Sequence, residues 1–121
     1  MNGETVEIYA DGKQTQDFIY IGDLVLAVRL AASDEGIGGE VFQISTNAET
    51  TVGELVELML PTLRQAGIES VNIKHSAPRL GDVMRNFSDT AKAEKMLGWK
   101  AETSLAAVLK KTIKWYFEDR K

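Results

Sequence analysis

Apolar positions along the chain change their period several times, and each change marks an element. Val6-Glu7-Ile8-Tyr9 alternates with period two, the mark of a half-buried strand. Ala10-Asp11-Gly12-Lys13 offers an Asp-Gly turn into a second short strand at about Asp17 to Ile21, so this opening predicts a hairpin. From Asp23 the run Leu24-Val25-Leu26-Ala27-Val28-Arg29-Leu30-Ala31-Ala32 is apolar almost throughout, which predicts a helix buried on most sides. It ends in the loop Gly36-Ile37-Gly38-Gly39. Glu40-Val41-Phe42-Gln43-Ile44-Ser45 then has the β-branched and aromatic density of a buried strand.

Thr51-Val52-Gly53-Glu54 has the spacing of a capping box, in which the Thr hydroxyl and the Glu carboxylate satisfy two amides at a helix start. A helix is predicted from there toward Ala66, kinked or broken at Pro61, which lacks an amide and crowds the preceding turn. Val71-Asn72-Ile73-Lys74 reads as a strand. Ser88 or Asp89 is predicted to cap a helix ending at Gly98, and Thr103 or Ser104 to cap the last one. In that last helix Leu105, Val108, Leu109, Thr112, Ile113 and Tyr116 form one core-facing stripe, leaving Lys110, Lys111 and Lys114 to solvent. The expected fold is mixed α/β, with short strands and about four helices.

Composition narrows the function. A chain of 121 residues with 44% hydrophobic content suits one core, so residues 1–121 are expected to form a single domain. The balance of 14 basic and 18 acidic residues, net charge −4, lacks the basic excess that nucleic-acid binding demands. With no cysteine, thiolate zinc sites and thiol nucleophiles are excluded. His75 is the single histidine and has no metal-ligand spacing around it, so no metal site is expected. No apolar run approaches the roughly 18 residues that span a bilayer, and the start Met1-Asn2-Gly3-Glu4-Thr5 is polar; a soluble, cytoplasmic protein with no membrane partner is expected.

Two local patterns look catalytic and fail on context. Tyr9-Ala10-Asp11-Gly12-Lys13 has Tyr-x-x-x-Lys spacing, but that spacing works when the lysine lies one helical turn from the tyrosine, and Asp11-Gly12 predicts a turn here. Gly36-Ile37-Gly38-Gly39 precedes a predicted strand, so its amides do not open a helix toward a pyrophosphate. No catalytic and no cofactor-binding residue is therefore assigned.

A set of motifs in fixed order carries more. Gly12 to Leu24 with its Gln14-Thr15-Gln16-Asp17-Phe18-Ile19-Tyr20 core, Pro78-Arg79-Leu80-Gly81-Asp82-Val83, Ser88-Asp89-Thr90-Ala91-Lys92-Ala93 and Leu97-Gly98-Trp99 together resemble the C-terminal part of the NAD-dependent nucleotide-sugar epimerase/dehydratase family. The resemblance implies a small substrate domain, plus one strand (Val41 to Ile44) and one helix (from Asp23) that complete a cofactor-binding sheet elsewhere; a complete Rossmann sheet is not expected. It implies that Arg79 contacts the substrate pyrophosphate, that Asp82 lies near a ribose hydroxyl, and that Tyr9 stacks on the nucleotide base. A half-buried strand tyrosine accounts for Tyr9 equally well. Gln16 stands where the family commonly has a second phosphate-binding arginine, so it keeps a hydrogen-bond donor and loses the charge. Gly22, Asn47 and Lys100 are milder departures, from a usual acidic residue, glycine and proline.

The resemblance implies a truncated or split epimerase/dehydratase portion. NAD belongs to the full-length family and no cofactor to these residues; a UDP- or dTDP-linked sugar is the expected ligand, held weakly and not turned over. The expected partner is a second copy or a missing N-terminal Rossmann half. The alternative is a non-enzymatic interaction module that keeps the fold without the site. Gln16 leans toward it; Tyr9, Arg79 and Asp82 lean away.

Overall fold

A computed structural model describes residues 5–119. The polar start Met1–Glu4 lies outside them. The elements run β1 (Val6–Tyr9), β2 (Thr15–Gln16), α1 (Ile21–Ser33), β3 (Thr50–Thr51), α2 (Val52–Gln65), β4 (Ile73–Ser76), α3 (Ala91–Leu97) and α4 (Leu105–Glu118). The fold is mixed α/β, four helices with short strands in two small sheets.

The alternation of β1 is as predicted, with Ile8 buried and Glu7 exposed, but the hairpin does not form. β1 pairs in parallel with β4, Val6 opposite Ile73 through Tyr9 opposite Ser76, whereas β2 pairs antiparallel with β3. The turn explains this. Ala10 (φ 55°) and Gly12 (φ 73°) are both left-handed, and they send the chain along the start of α2: the Gly53 amide donates to the Gly12 carbonyl (3.0 Å) and the Val52 amide to the Gln14 carbonyl (3.1 Å). The expected second strand is also displaced, to Thr15–Gln16. At Asp17 the carboxylate takes over, accepting from the Thr46 amide (2.8 Å) and the Thr46 hydroxyl. β4 lies two residues beyond its predicted place, at Ile73–Ser76.

The core gathers Ala27, Ala93, Leu97 and Trp99, with Ile19, Leu26, Phe42 and Ile44 packed around them. Trp99 is 1% exposed, and its indole N–H donates to the Asp23 carbonyl (2.9 Å), so the ring is buried without an orphaned donor. The Asp23 carboxylate accepts from the amide (3.0 Å) and hydroxyl (3.2 Å) of Thr103, fixing the approach to α4 against α1.

Two predicted burials do not occur. α1 begins at Ile21, and among its residues only Ala27 is buried; Ile21, Val25 and Val28 stand 63, 58 and 61% exposed as one stripe. Residues 40–44 are not paired as a strand, because no strand of the described residues lies beside them; Phe42 and Ile44 turn to the core and Val41 outward. Both are faces without a cover.

The capping box is present: the Glu54 amide donates to Thr51 Oγ1 (3.0 Å) and the Thr51 amide to Glu54 Oε2 (2.8 Å). α2 continues through Pro61 to Gln65 without the expected break. Pro61 leaves the Glu57 carbonyl without its helical donor, a cost of about 3 kcal/mol, and packing against α4 offsets it; Leu63, Leu109 and Ile113 are the buried side chains of these two helices. Thr112, read into the core stripe, is exposed. α3 starts after Thr90, one residue beyond the predicted cap, and the Thr90 side chain makes no capping bond; Asp89 accepts from the Ala91 amide (2.9 Å), and the helix ends on Gly98 in the left-handed conformation (φ 61°). Ser104 caps α4. Among the described residues no helix is long and apolar enough to cross a membrane.

Candidate functional site

The parallel register of β1 and β4 sets Glu7 opposite Lys74 and Tyr9 opposite Ser76 on one face, while Ile8 turns the other way. The Tyr9 ring lies on this outer face. Arg79, three residues beyond the end of β4, lays its guanidinium over that ring, 3.5 Å from the centroid. This is cation–π geometry. The Arg-x-Gly-Asp segment folds as a turn, with Gly81 at φ 89° and the Asp82 amide donating to the Arg79 carbonyl (3.3 Å), and Asp82 is exposed. The Tyr9 side chain, with Asp82 and Glu7 further off, raises the guanidinium pKa above its ordinary value. Arg79 is thus a permanent cation above an aromatic platform.

Gln16 reaches the same loop by another route. The Thr15 amide donates to the Met84 carbonyl (3.0 Å), and Asn86 Nδ2 donates to Gln16 Oε1 (2.8 Å). Arg85 forks onto Glu49, Nε to Oε1 at 2.8 Å and Nη2 to Oε2 at 2.5 Å, and the Thr15 hydroxyl donates to Glu49 Oε1 (2.7 Å). Arg85, then Thr15, hold the Glu49 carboxyl down to about 2. The loop that begins at Arg79 is stitched to β1 by a stack, to β2 by an amide pair and to β3's flank by a charged fork. The result is a surface on which Arg79 and Asp82 are exposed; among the described residues, clefts are lined by Leu26, Leu30, Trp99 and Glu102 and by Phe18, Thr46, Ala101 and Leu105.

The two deceptive patterns resolve as turns. Lys13 pairs with Asp11 (3.1 Å) in the bend after β1, away from any helix shared with Tyr9. Gly36 and Gly39 have φ of 91 and 84° and lead into residues 40–44, which belong to no helix, so these glycines do not open one. His75 donates Nδ1–H to the Ala10 carbonyl (3.0 Å), a structural use. Among the described residues no three carboxylates or imidazoles converge as a metal cage.

Residues 1–112 match the family model described as GDP-mannose 4,6 dehydratase. UDP-glucose 4-epimerase of Mycolicibacterium smegmatis is 32% identical over 114 residues, which take in 94% of this chain and 35% of that protein. The chain belongs to the NAD-dependent nucleotide-sugar epimerase/dehydratase family. It corresponds to the C-terminal part of such proteins and spans about a third of the length of the curated relatives it matches. The crystal structure of UDP-glucose 4-epimerase from Thermotoga maritima with UDP-glucose superposes at a TM-score of 0.86 with 34% identity, over 98% of this chain and 37% of that one. MoeE5 in complex with UDP-glucose and NAD gives 0.83 and 32%, over 100 and 39%.

Within this epimerase/dehydratase chain, several residues that local pattern did not single out support the site. Asp17 is one. Burial pushes its carboxyl up, but the Thr46 and Ser45 hydroxyls and the Thr46 and Ser88 amides outweigh that and hold it below the usual range. Glu7, Glu49, Arg85 and Asn86 are the others, and their partners lie 34 to 70 positions away except for Glu7's bond to Tyr9. Two departures from the family pattern also acquire reasons. Asn47 takes the left-handed conformation (φ 58°) that glycine otherwise supplies, and a Cβ at Gly22 would meet the Tyr20 ring at 2.6 Å.

Proposed function

We propose that this chain is the nucleotide-holding portion of an epimerase or dehydratase acting on UDP- or dTDP-linked sugars, able by itself to bind such a ligand weakly and to turn nothing over. The observation that carries this is Arg79, a cation fixed 3.5 Å above the Tyr9 ring at the head of the Arg-x-Gly-Asp turn. A diphosphate needs charge-assisted donors held in place, and a nucleobase needs a flat aromatic or guanidinium face; the guanidinium offers its donors at its edge and a flat outer face, stacked on the Tyr9 ring beneath it. An open surface buries little of a ligand, which keeps the affinity low. Asp82, exposed on the same turn, is within the segment that would meet the ribose.

Turnover requires more than these residues offer. The Gly36–Gly39 loop does not open a helix, so it does not fit the pyrophosphate of NAD, and Lys13 is turned onto Asp11 rather than toward Tyr9. The oxidation and re-reduction of a sugar would depend on polypeptide beyond this chain. The exposed stripe of α1 and the unpaired residues 40–44 are the faces where that polypeptide, or a second copy, would pack.

Titrating the isotope-labelled chain with UDP, dTDP and their sugars tests the reading. Dissociation constants in the high micromolar to millimolar range are expected, worth roughly 4–6 kcal/mol, with resonances of Tyr9, Arg79 and Asp82 moving first. Arg79→Ala should abolish the response. Gln16→Arg should tighten binding about five-fold, since solvent discounts one restored charge-assisted phosphate contact to about 1 kcal/mol. A flat titration in both wild type and Gln16→Arg would reject the binding role. It would leave the interaction module, which the commitment of Gln16 to Asn86 favours.

A further inference from the structure

Glu7 is the hub of the outer face of the β1–β4 pair. Its Oε1 accepts from the Ser76 hydroxyl and from Lys74 Nζ (3.2 Å), and its Oε2 accepts from the Tyr9 hydroxyl (3.2 Å). The register makes this arrangement. Glu7 and Lys74 are direct cross-strand partners, as are Tyr9 and Ser76, so one carboxylate is ringed by its opposite number and by both members of the next pair. The Ser76 hydrogen bond, followed by that of Lys74, lowers the Glu7 pKa from its ordinary value, so the group is an anion at neutral pH.

The consequence passes through the ring. A half-buried tyrosine can exchange among its few rotamers, and a hydrogen bond at its far end selects one of them; here the hydroxyl donates to an anion. A phenol donating to a carboxylate also gains electron density on its face, which strengthens the attraction of a cation placed there. The cation placed there is Arg79, at 3.5 Å. We propose that Glu7 is a positioning residue of the nucleotide site: by holding the Tyr9 hydroxyl it fixes the platform on which Arg79 rests, and so presents the guanidinium to a phosphate before any ligand arrives. The inference rests on the nucleotide-binding reading above, which it deepens by naming what organises Arg79.

Glu7→Gln and Glu7→Ala separate positioning from charge, because both remove the anion and only Gln keeps an acceptor for the Tyr9 hydroxyl. Two measurements are made on the free and UDP-titrated chain: the ring-current shift of the Arg79 Nε–H resonance, and the UDP dissociation constant. Glu7→Gln should retain the upfield Arg79 shift. Glu7→Ala should lose it and bind UDP about five-fold more weakly than Glu7→Gln, the effect of one lost organising hydrogen bond. Tyr9→Phe, which keeps the ring and drops the hydroxyl, should behave as Glu7→Ala does, and serves if Glu7→Ala does not fold. Equal UDP affinity of the Gln and Ala variants, or an Arg79 shift unchanged in Glu7→Ala and Tyr9→Phe, overturns the proposal. If wild type binds no UDP, the nucleotide reading fails and this role fails with it; if wild type binds and Arg79→Ala does not, equal behaviour of the Gln and Ala variants condemns the role of Glu7 alone.

Discussion

Glu49 joins the loop of Arg79 to the β2–β3 pair through three hydrogen bonds, two from Arg85 and one from Thr15. Its folded-state pKa is depressed, to about 2 from an ordinary value of 4.5, so its contribution is fully present above pH 4.5 and is lost as pH falls toward 2. Urea midpoints measured between pH 7 and 2.5 should therefore fall below pH 4.5, and Glu49→Gln should flatten that slope; an unchanged slope in the variant would show that the fork does not couple to folding. Solvent screening keeps the size of the effect modest. At this scale the sequence was uneven in what it disclosed. Arg79 and Asp82 could be named because they sit in an ordered motif, and Tyr9 because its strand stands beside such a motif in the resemblance; the structure brings Tyr9 and Arg79 into contact. Glu7, Glu49 and Arg85 could not be named, since a charged side chain on a strand or loop reads as solvated until its partner, tens of residues away, is known.

Among the elements, α1 best separates what periodicity encodes from what it leaves open. The apolar run predicts a helix and a helix forms, but an apolar run does not say that its cover is at hand. Ile21, Val25 and Val28 remain in water along one stripe. Each such side chain gains about 1.5–3 kcal/mol on full burial, so the chain by itself should self-associate at micromolar concentration through this face. Sedimentation velocity across that range should show dimer in wild type and monomer in a Val25→Asp, Val28→Asp double variant with unchanged circular dichroism; a monomeric wild type would remove the argument. The helix starts and stops were the most legible features. The capping box at Thr51 and the glycine at 98 act within four residues, where chain proximity does the work. Strand partners were the least legible. A period-two segment announces a face, not a neighbour, and the Asp-Gly turn that suggested a hairpin instead carries the chain away to the start of α2.

For the molecule as a whole, the parallel pairing of β1 with β4 means that the candidate site is drawn from two ends of a long excursion: Glu7 meets Ser76 across 69 positions, and Gln16 meets Asn86 across 70. Everything between, including α1 and α2, forms inside that excursion. Closing a loop of this length restricts the chain before any contact at the site rewards it, and non-local pairing is slow for the same reason. Helical turns need no such closure. In a refolding experiment followed by pulsed hydrogen exchange, amides of α2 should gain protection before those of Ile8 and Ser76, and simultaneous protection would contradict this order. A newly made chain would then pass through a stage in which its helices are formed while the pairings of Glu7 with Ser76 and of Gln16 with Asn86 are not. The surface of Tyr9 and Arg79 would thus be assembled late in folding and, on partial unfolding, would be dismantled early.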